Sequence, residues 1–262
     1  MDDSRRDFLK KASIASLGIA ALPVLSAGVR AVSGHGAATD SIQWGMVIDV
    51  QKCDNKALAD AAQKACHTEH NVPAVPADLK DEEIKWIWTE AFQNVFPEQA
   101  HARMAHKLHD KQVIVLCNHC DRPSCVRVCP TKATWKRKSD GIVMMDMHRC
   151  IGCRFCMAAC PFGARSFNFS DPRKFMDTEK PANTLYPTRA MGVVEKCTFC
   201  ADRIREGRQP ACVEAANAIV PGAMIFGNVN DPESEIFKYL EENHTLVRQL
   251  NLGTGPNVYY KL

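Results

Sequence analysis

The sequence predicts an α+β fold made of tandem units of short strands and short helices, related by a pseudo-twofold repeat, and three observations carry that prediction. A four-cysteine motif ending in proline occurs twice, at 117–130 and 150–161. Two short extended runs meet at a turn signal between the copies, and the cysteines nearer the chain ends read as incomplete copies of the same motif. With 262 residues, 46% hydrophobic, 24% charged and a formal charge of +3, the composition is that of a folded protein. Its 13 cysteines are the outlier. The chain is too long and its thiols too unevenly placed for a disulfide-stapled secreted scaffold, normally under ~100 residues. The near-neutral charge lacks the basic excess of a nucleic-acid binder, so no nucleic-acid partner is expected.

The first element is an address. Ser4-Arg5-Arg6-Asp7-Phe8-Leu9-Lys10 precedes an uncharged Ala/Leu/Ile/Val-rich stretch from Ala12 to Val29, a charged n-region followed by an apolar h-region. The paired arginines resemble a twin-arginine export signal. Residues 1–33 are therefore read as a signal segment and 34–262 as the functional domain. An amphipathic helix would alternate charged and apolar faces, which this stretch does not. Leu25-Ser26-Ala27 and Gly36-Ala37-Ala38 both offer small residues near a cut. Left uncut, ~18 apolar residues are marginal for a span and make a weak anchor. Signals of this kind carry folded proteins to the periplasm, so a cofactor is inserted in the reducing interior, which weakens a disulfide reading.

Further along, Ile84-Lys85-Trp86-Ile87-Trp88 forms a short β-like run with its tryptophans in core or interface positions. It lies in a segment, Asp78 to Lys111, that reads as an insertion able to dock a neighbour. Pro97 to Lys111 is polar and predicts a helix turning His101, His106 and His109 toward solvent. Thr134 to Arg137 and Ile142 to Met145 flank Ser139-Asp140-Gly141 and predict a β-hairpin. A central unit then spans 113–170, and an outer unit combines 45–112 with 171–262.

The cysteine spacing points to chemistry. Cys150-Ile151-Gly152-Cys153-Arg154-Phe155-Cys156-Met157-Ala158-Ala159-Cys160-Pro161 matches the bacterial ferredoxin run C-x2-C-x2-C-x3-C-P without a departure. Three close thiolates wrap three corners of a cubane; the fourth, a helical turn on, faces the neighbouring cluster, and Pro161 ends that turn. Cys117-Asn118-His119-Cys120-Asp121-Arg122-Pro123-Ser124-Cys125-Val126-Arg127-Val128-Cys129-Pro130 is the same motif with a longer internal loop. Crosswise ligation follows. One [4Fe-4S] cluster takes Cys117, Cys120, Cys125 and Cys160; the other takes Cys150, Cys153, Cys156 and Cys129. Cys197-Thr198-Phe199-Cys200 with Cys212 lacks a fourth thiol, its place being taken by Ala216, while Ala65-Cys66-His67 looks like the end of a run. The same rule joins Cys197, Cys200, Cys212 and Cys66. Three [4Fe-4S] clusters use all cysteines but Cys53, which reads as a buried small hydrophobe or a relic of a lost fourth site, burial being favoured. A cluster held by four cysteines changes oxidation state but offers no open iron to a substrate.

Zinc also takes four thiolates, though usually from two CxxC pairs across a longer loop; of the groups here, Cys197, Cys200 and Cys212 come nearest to that pattern. Disulfides at this thiol density would be strained or reactive. No CxxCH is present, so any haem belongs to a partner. His119 either lines a cluster or hydrogen-bonds locally. Residues 1–33 hold five basic and three acidic side chains, so their removal takes +3 to +1. Three clusters at about −2 each then bring the holoprotein to roughly −5, a mildly acidic carrier.

The chain is similar to the periplasmic multi-cluster ferredoxin subunits of membrane oxidoreductases, the family that includes polysulfide-reductase and nitrite-reductase-associated iron-sulfur proteins. The resemblance covers residues 45–262 and rests on the two complete motifs, on Ala65-Cys66-His67-Thr68-Glu69-His70-Asn71-Val72-Pro73, on Val194-Glu195-Lys196-Cys197-Thr198-Phe199-Cys200 and on Gly253-Thr254-Gly255-Pro256-Asn257-Val258-Tyr259-Tyr260. The export segment, the degenerate first motif, Ile84 to Trp88 and Arg149 to Phe167 look most like the member that serves a membrane complex of dissimilatory sulfur metabolism. The family's usual four clusters are reduced here to three. The resemblance implies a non-catalytic subunit that relays electrons between a multihaem cytochrome c and an integral membrane quinone-interacting subunit, alongside other subunits of the complex. A second reading, the iron-sulfur β-subunit of a molybdopterin oxidoreductase, fits the cysteine sets equally well. The chain's own export signal favours the first.

Overall fold

The computed structural model describes residues 41–99, 106–176 and 183–262. The predicted export segment and His101 lie outside them. The described residues belong to one compact unit, Ala38–Leu262. Among them no helix is long and apolar enough to cross a membrane.

Strand β1 (Trp44–Asp49) opens the domain, and helix α1 (Lys56–Glu69) follows, with the Asn55 side chain accepting from the N–H groups of Ala57 and Leu58 as N-cap. Strands β2 (Ile87–Ala91) and β3 (Gln112–Leu116) pair antiparallel around the short helices α2 (Phe92–Val95) and α3 (His106–His109). Next come α4 (Ser124–Arg127), the hairpin of β4 (Thr134–Lys136) and β5 (Val143–Met145), and α5 (Phe155–Ala158). Strand β6 (Ser166–Phe167) pairs antiparallel with β7 (Val194–Glu195), and α6 (Ala201–Arg205) and α7 (Ala211–Ile219) follow. The chain ends with β8 (Met224–Asn228), α8 (Glu235–Glu242) and β9 (Val258–Lys261).

The two chain ends meet in one sheet, of order β8-β1-β9, in which β1 runs antiparallel to β8 and parallel to β9. Both faces of β1 are covered, which is why its sequence is continuously apolar instead of alternating. Met46 and Ile48 enter the main core, while Val47 joins Ile225 and Ile236 beneath α8. Helix α1 buries Leu58, Ala62 and Cys66, a stripe at helical spacing, and lies against α7, which buries Cys212, Val213 and Ala216.

The predicted hairpin is present with Thr134 opposite Met145, and Gly141 at φ +73 makes its turn. Two expectations change. The β-like run begins later than the sequence suggests, because Trp86 is drawn into the core beside Ile84 while the strand itself starts at Ile87. The segment from Asp78 to Lys111, read as an insertion, is anchored in the main core through Ile84, Trp86, Ile87, Phe92, Val95 and Phe96, and its strand β2 pairs with β3, which follows it. Within Pro97 to Lys111 the described helix is confined to His106–His109, and His109 is half exposed beside Asp110.

Candidate metal centres

Three copies of one local structure present the thiols. In each CxxC turn the residue before the second cysteine lies in the left-handed region: His119 at φ 42, Gly152 at φ 68 and Phe199 at φ 54. Such a turn aims backbone N–H groups inward, and the Phe199 N–H reaches Cys197 Sγ at 3.3 Å. At Gly152 the backbone is too crowded for anything but glycine, since a Cβ there would stand 2.4 Å from the Gly192 carbonyl oxygen. His119 and Phe199 adopt the conformation against their preference. Their rings stack on one another at 3.7 Å, which holds two of the turns together. After each turn the third cysteine is the second residue of a helix: Cys125 in α4, Cys156 in α5, Cys212 in α7. Helices α4 and α5 lie against each other, as α1 and α7 do on a larger scale.

The outer thiols converge as a buried group. Burial drives the Cys66 thiol well up, and the charges of Cys200, Cys212 and Cys197 add to it. Cys212 is raised in the same way, by burial and then by Cys200 and Cys197. Burial raises Cys200 to about 11, against the Ala211 N–H, which donates to its sulfur at 3.4 Å, and the Arg203 guanidinium. Cys197 rises to about 12 through burial and then through Cys117, which marks the adjacent set.

That adjacent set contains Cys117, Cys120, Cys125 and Cys160. Burial and Cys117 push Cys120 up to about 12, with Cys125 and Cys160 also in its field. Cys160 is raised by burial and by Cys117, and is held back by the N–H groups of Ala164 and Phe162. The last set is the most open. Burial raises Cys156, and Cys125 and Cys150 raise it further against Arg165; Cys150 is half-buried and Cys153 exposed. Burial raises the half-buried Cys129, but hydrogen bonds from Thr134, Thr131 and Ala133 outweigh that and pull it below its usual value. Cys53 stands apart: it is buried, raised to about 12 by burial and Asp49, and its Sγ donates to the Ala223 carbonyl at 3.4 Å.

Around the thiols lies a polar shell that cysteine spacing did not disclose. His70 Nε2 is 3.2 Å from Cys200 Sγ, and its ring stacks on Trp86 at 4.5 Å. Burial and Arg189 lower His70 to about 3, so the ring is neutral. Trp86 Nε1 and Arg189 Nε both donate to Glu195 Oε2, at 2.9 and 2.8 Å, and Asn168 Nδ2 donates to Oε1 at 2.7 Å. Arg203 joins Glu69 of α1 to Glu214 of α7. Lys196, buried, donates to the carbonyls of Val143 and Cys197. His119 is fully buried, and its Nδ1 accepts from the Val143 N–H at 3.1 Å. The tightest sequence clue to this shell was its proximity to cysteine, since His67, His119 and Lys196 each adjoin one.

All thirteen cysteines are free thiols. Among the described residues no group of three or more His, Cys, Asp or Glu side chains is arranged to hold a single metal ion. A four-iron cubane asks instead for thiols spread around a body. The donors fit such a group. Buried thiols with raised pKa values become thiolates only when cations offset their charge, and cluster iron supplies that. Buried polar groups are ordinarily satisfied. Yet Asn118 Nδ2 and His67 Nε2 have no partner within the protein, and both adjoin cysteines of the predicted sets in sequence, while the Thr254 hydroxyl bonds toward the Cys120 sulfur. Such donors suit sulfide acceptors.

Residues 112–174 and 170–229 match the family described as the 4Fe-4S dicluster domain. The chain belongs to the family of iron-sulfur subunits built on that domain. It is 41% identical to the Hdr-like menaquinol oxidoreductase iron-sulfur subunit 1 of Archaeoglobus fulgidus, over 98% of this chain and 97% of the relative. It is also 36% identical to the menaquinone reductase iron-sulfur cluster-binding subunit of Nitratidesulfovibrio vulgaris, over 84% of this chain and 88% of that one. Protein NrfC of Escherichia coli is 30% identical over 98% and 94% of the two chains.

Proposed function

We propose that this chain is a periplasmic electron-transfer subunit carrying three [4Fe-4S] clusters, and that it corresponds to DsrO, the iron-sulfur subunit of the DsrMKJOP membrane complex of dissimilatory sulfur metabolism. The observation that carries the three-cluster reading is the buried company that Cys66 keeps with Cys197, Cys200 and Cys212. The ligands are Cys117, Cys120, Cys125 and Cys160 for one cluster, Cys150, Cys153, Cys156 and Cys129 for the second, and those four thiols for the third. Neighbouring sets are close enough to interact: the charge of Cys117 raises Cys197, and that of Cys125 raises Cys156. Electrons enter at one end and leave at the other, passing between a multihaem cytochrome c and a membrane quinone-interacting subunit. Two relatives are named for menaquinol or menaquinone, which supports a quinone-linked partner. The export signal in residues 1–33 supports the periplasmic location.

The test is iron, acid-labile sulfide and zinc per chain in anaerobically prepared protein. About 12 irons are expected from three sets of four. About 8 with bound zinc would make the outer set a structural site, and about 16 would require non-cysteine ligands near Cys53. Isolation of the native complex settles the partners: c- and b-type haem spectra are expected, whereas molybdenum would assign the chain to a molybdopterin oxidoreductase.

A further inference from the structure

Arg165 lies just past the proline that closes the second motif, and the fold carries its side chain inward until the residue is 5% exposed. Its Nη2 donates to Cys125 Sγ at 3.0 Å and to Thr134 Oγ1 at 2.8 Å, and its Nη1 lies 3.8 Å from Met145 Sδ. The Thr134 hydroxyl donates onward to the Met144 carbonyl at 2.7 Å, which turns its lone pairs toward the guanidinium. None of these partners is a carboxylate. Of the three other buried arginines, Arg189 is compensated by Glu195 and Arg203 by Glu69 and Glu214, while Arg248, which also lacks a carboxylate among the described residues, lies over the Phe162 ring. A guanidinium keeps its charge, and a buried charge without a counter-charge is costly. The anionic groups in reach of Arg165 are thiolates, first Cys125, then Cys156 and Cys117, drawn from both central sets.

We propose that Arg165 is the shared counter-ion of the two central clusters, a positioning residue whose fixed charge between Cys125 and Cys156 raises the reduction potential of both. The proposal rests on the cluster reading above. Reduction adds one electron and one negative charge to a cluster and makes or breaks no bond. A cation held beside the ligand sulfurs stabilises the reduced state more than the oxidised one, and the low dielectric of the interior enlarges the difference. The hydrogen bond to Cys125 acts in the same direction.

The experiment is a potentiometric titration of the holoprotein, with dithionite as reductant and electron paramagnetic resonance as readout. In Arg165→Gln both central potentials are expected to move negative while that of the Cys66, Cys197, Cys200 and Cys212 set holds. Arg165→Lys is expected to restore most of the shift. An iron-replete Arg165→Gln protein with unchanged central potentials overturns the proposal, and so does an equal shift of all three clusters. If Arg165→Gln loses iron, Arg165→Lys decides. Native iron and near-native potentials then support the charge role, whereas loss of iron or an equal shift assigns Arg165 to packing and overturns it. Failure of the cluster reading itself is distinguishable, because the unsubstituted protein would then lack the iron and the signals.

Discussion

Cys53 and Cys66 are both buried thiols, yet only Cys66 has thiol neighbours. Their substitutions therefore part company. Cys66→Ser is expected to remove about a third of the iron, one set of four in three, and to leave the central signals intact. Cys153→Ser is expected to disturb the central pair instead, and equal losses in the two variants would sink the crosswise assignment. Cys53→Ala keeps every cluster and costs about 1 kcal/mol, the loss of one buried atom and a weak S–H bond, as read by thermal unfolding. Glu195→Gln has a different origin. It leaves the Arg189 guanidinium, whose side chain is 0% exposed, beside a neutral partner. A cost of ~3–5 kcal/mol is expected, typical of breaking a buried pair, and unfolding of the iron-replete protein would measure it.

At the scale of elements, α1 and α7 are the enlarged counterpart of α4 and α5. In both pairs two helices lie together: α4 and α5 each carry the third cysteine of a motif as their second residue, Cys125 and Cys156, whereas in the larger pair α7 carries Cys212 there and α1 brings Cys66 near its far end. Helix α1 starts at the Asn55 cap, so Asn55→Ala is expected to lower stability by about 1 kcal/mol. Because Cys66 lies near the far end of that helix, fraying at its start leaves iron content unchanged. The hairpin and the four-cysteine motifs were legible in the sequence because each is local: a turn signal between extended runs, and thiols within one or two turns of chain. The β8-β1-β9 sheet was not, since its partners come from opposite ends and no residue of Trp44–Asp49 announces its register. Residue Trp86 misled the strand boundary because its indole N–H is satisfied by Glu195 within the core and not by a place on the strand. Arg165 went unread as a site residue because nothing local says that a charged side chain turns inward, and Lys196 offered only its place beside Cys197.

Over the whole molecule, cysteines occupy a large share of the interior, with Cys66, Cys117, Cys120, Cys197 and Cys212 all part of the main core. The iron is then part of what holds the domain together. Stripping it with chelator under reducing conditions is expected to abolish cooperative unfolding and near-ultraviolet circular dichroism, since the thiols left behind carry no cross-links. A stripped protein that kept its sharp transition would show that β1, β8 and β9 fold on their own. Dicluster family membership was legible from residues 117–161 alone, and the Cys66, Cys197, Cys200 and Cys212 grouping from the crosswise rule, but that α1 and α7 lie together to bring these thiols near one another was not.

The thiols are also graded in their access to water. Cys66, Cys197, Cys200 and Cys212 are sealed in, Cys150 is half covered and Cys153 lies open. Where an oxidant meets such a molecule, corrosion has a starting point. Air reaches the Cys150, Cys153, Cys156 and Cys129 end first and the Cys66 end last. On the three-cluster reading proposed above, an ageing sample is expected to lose its clusters from the open end inward, the sealed set going last.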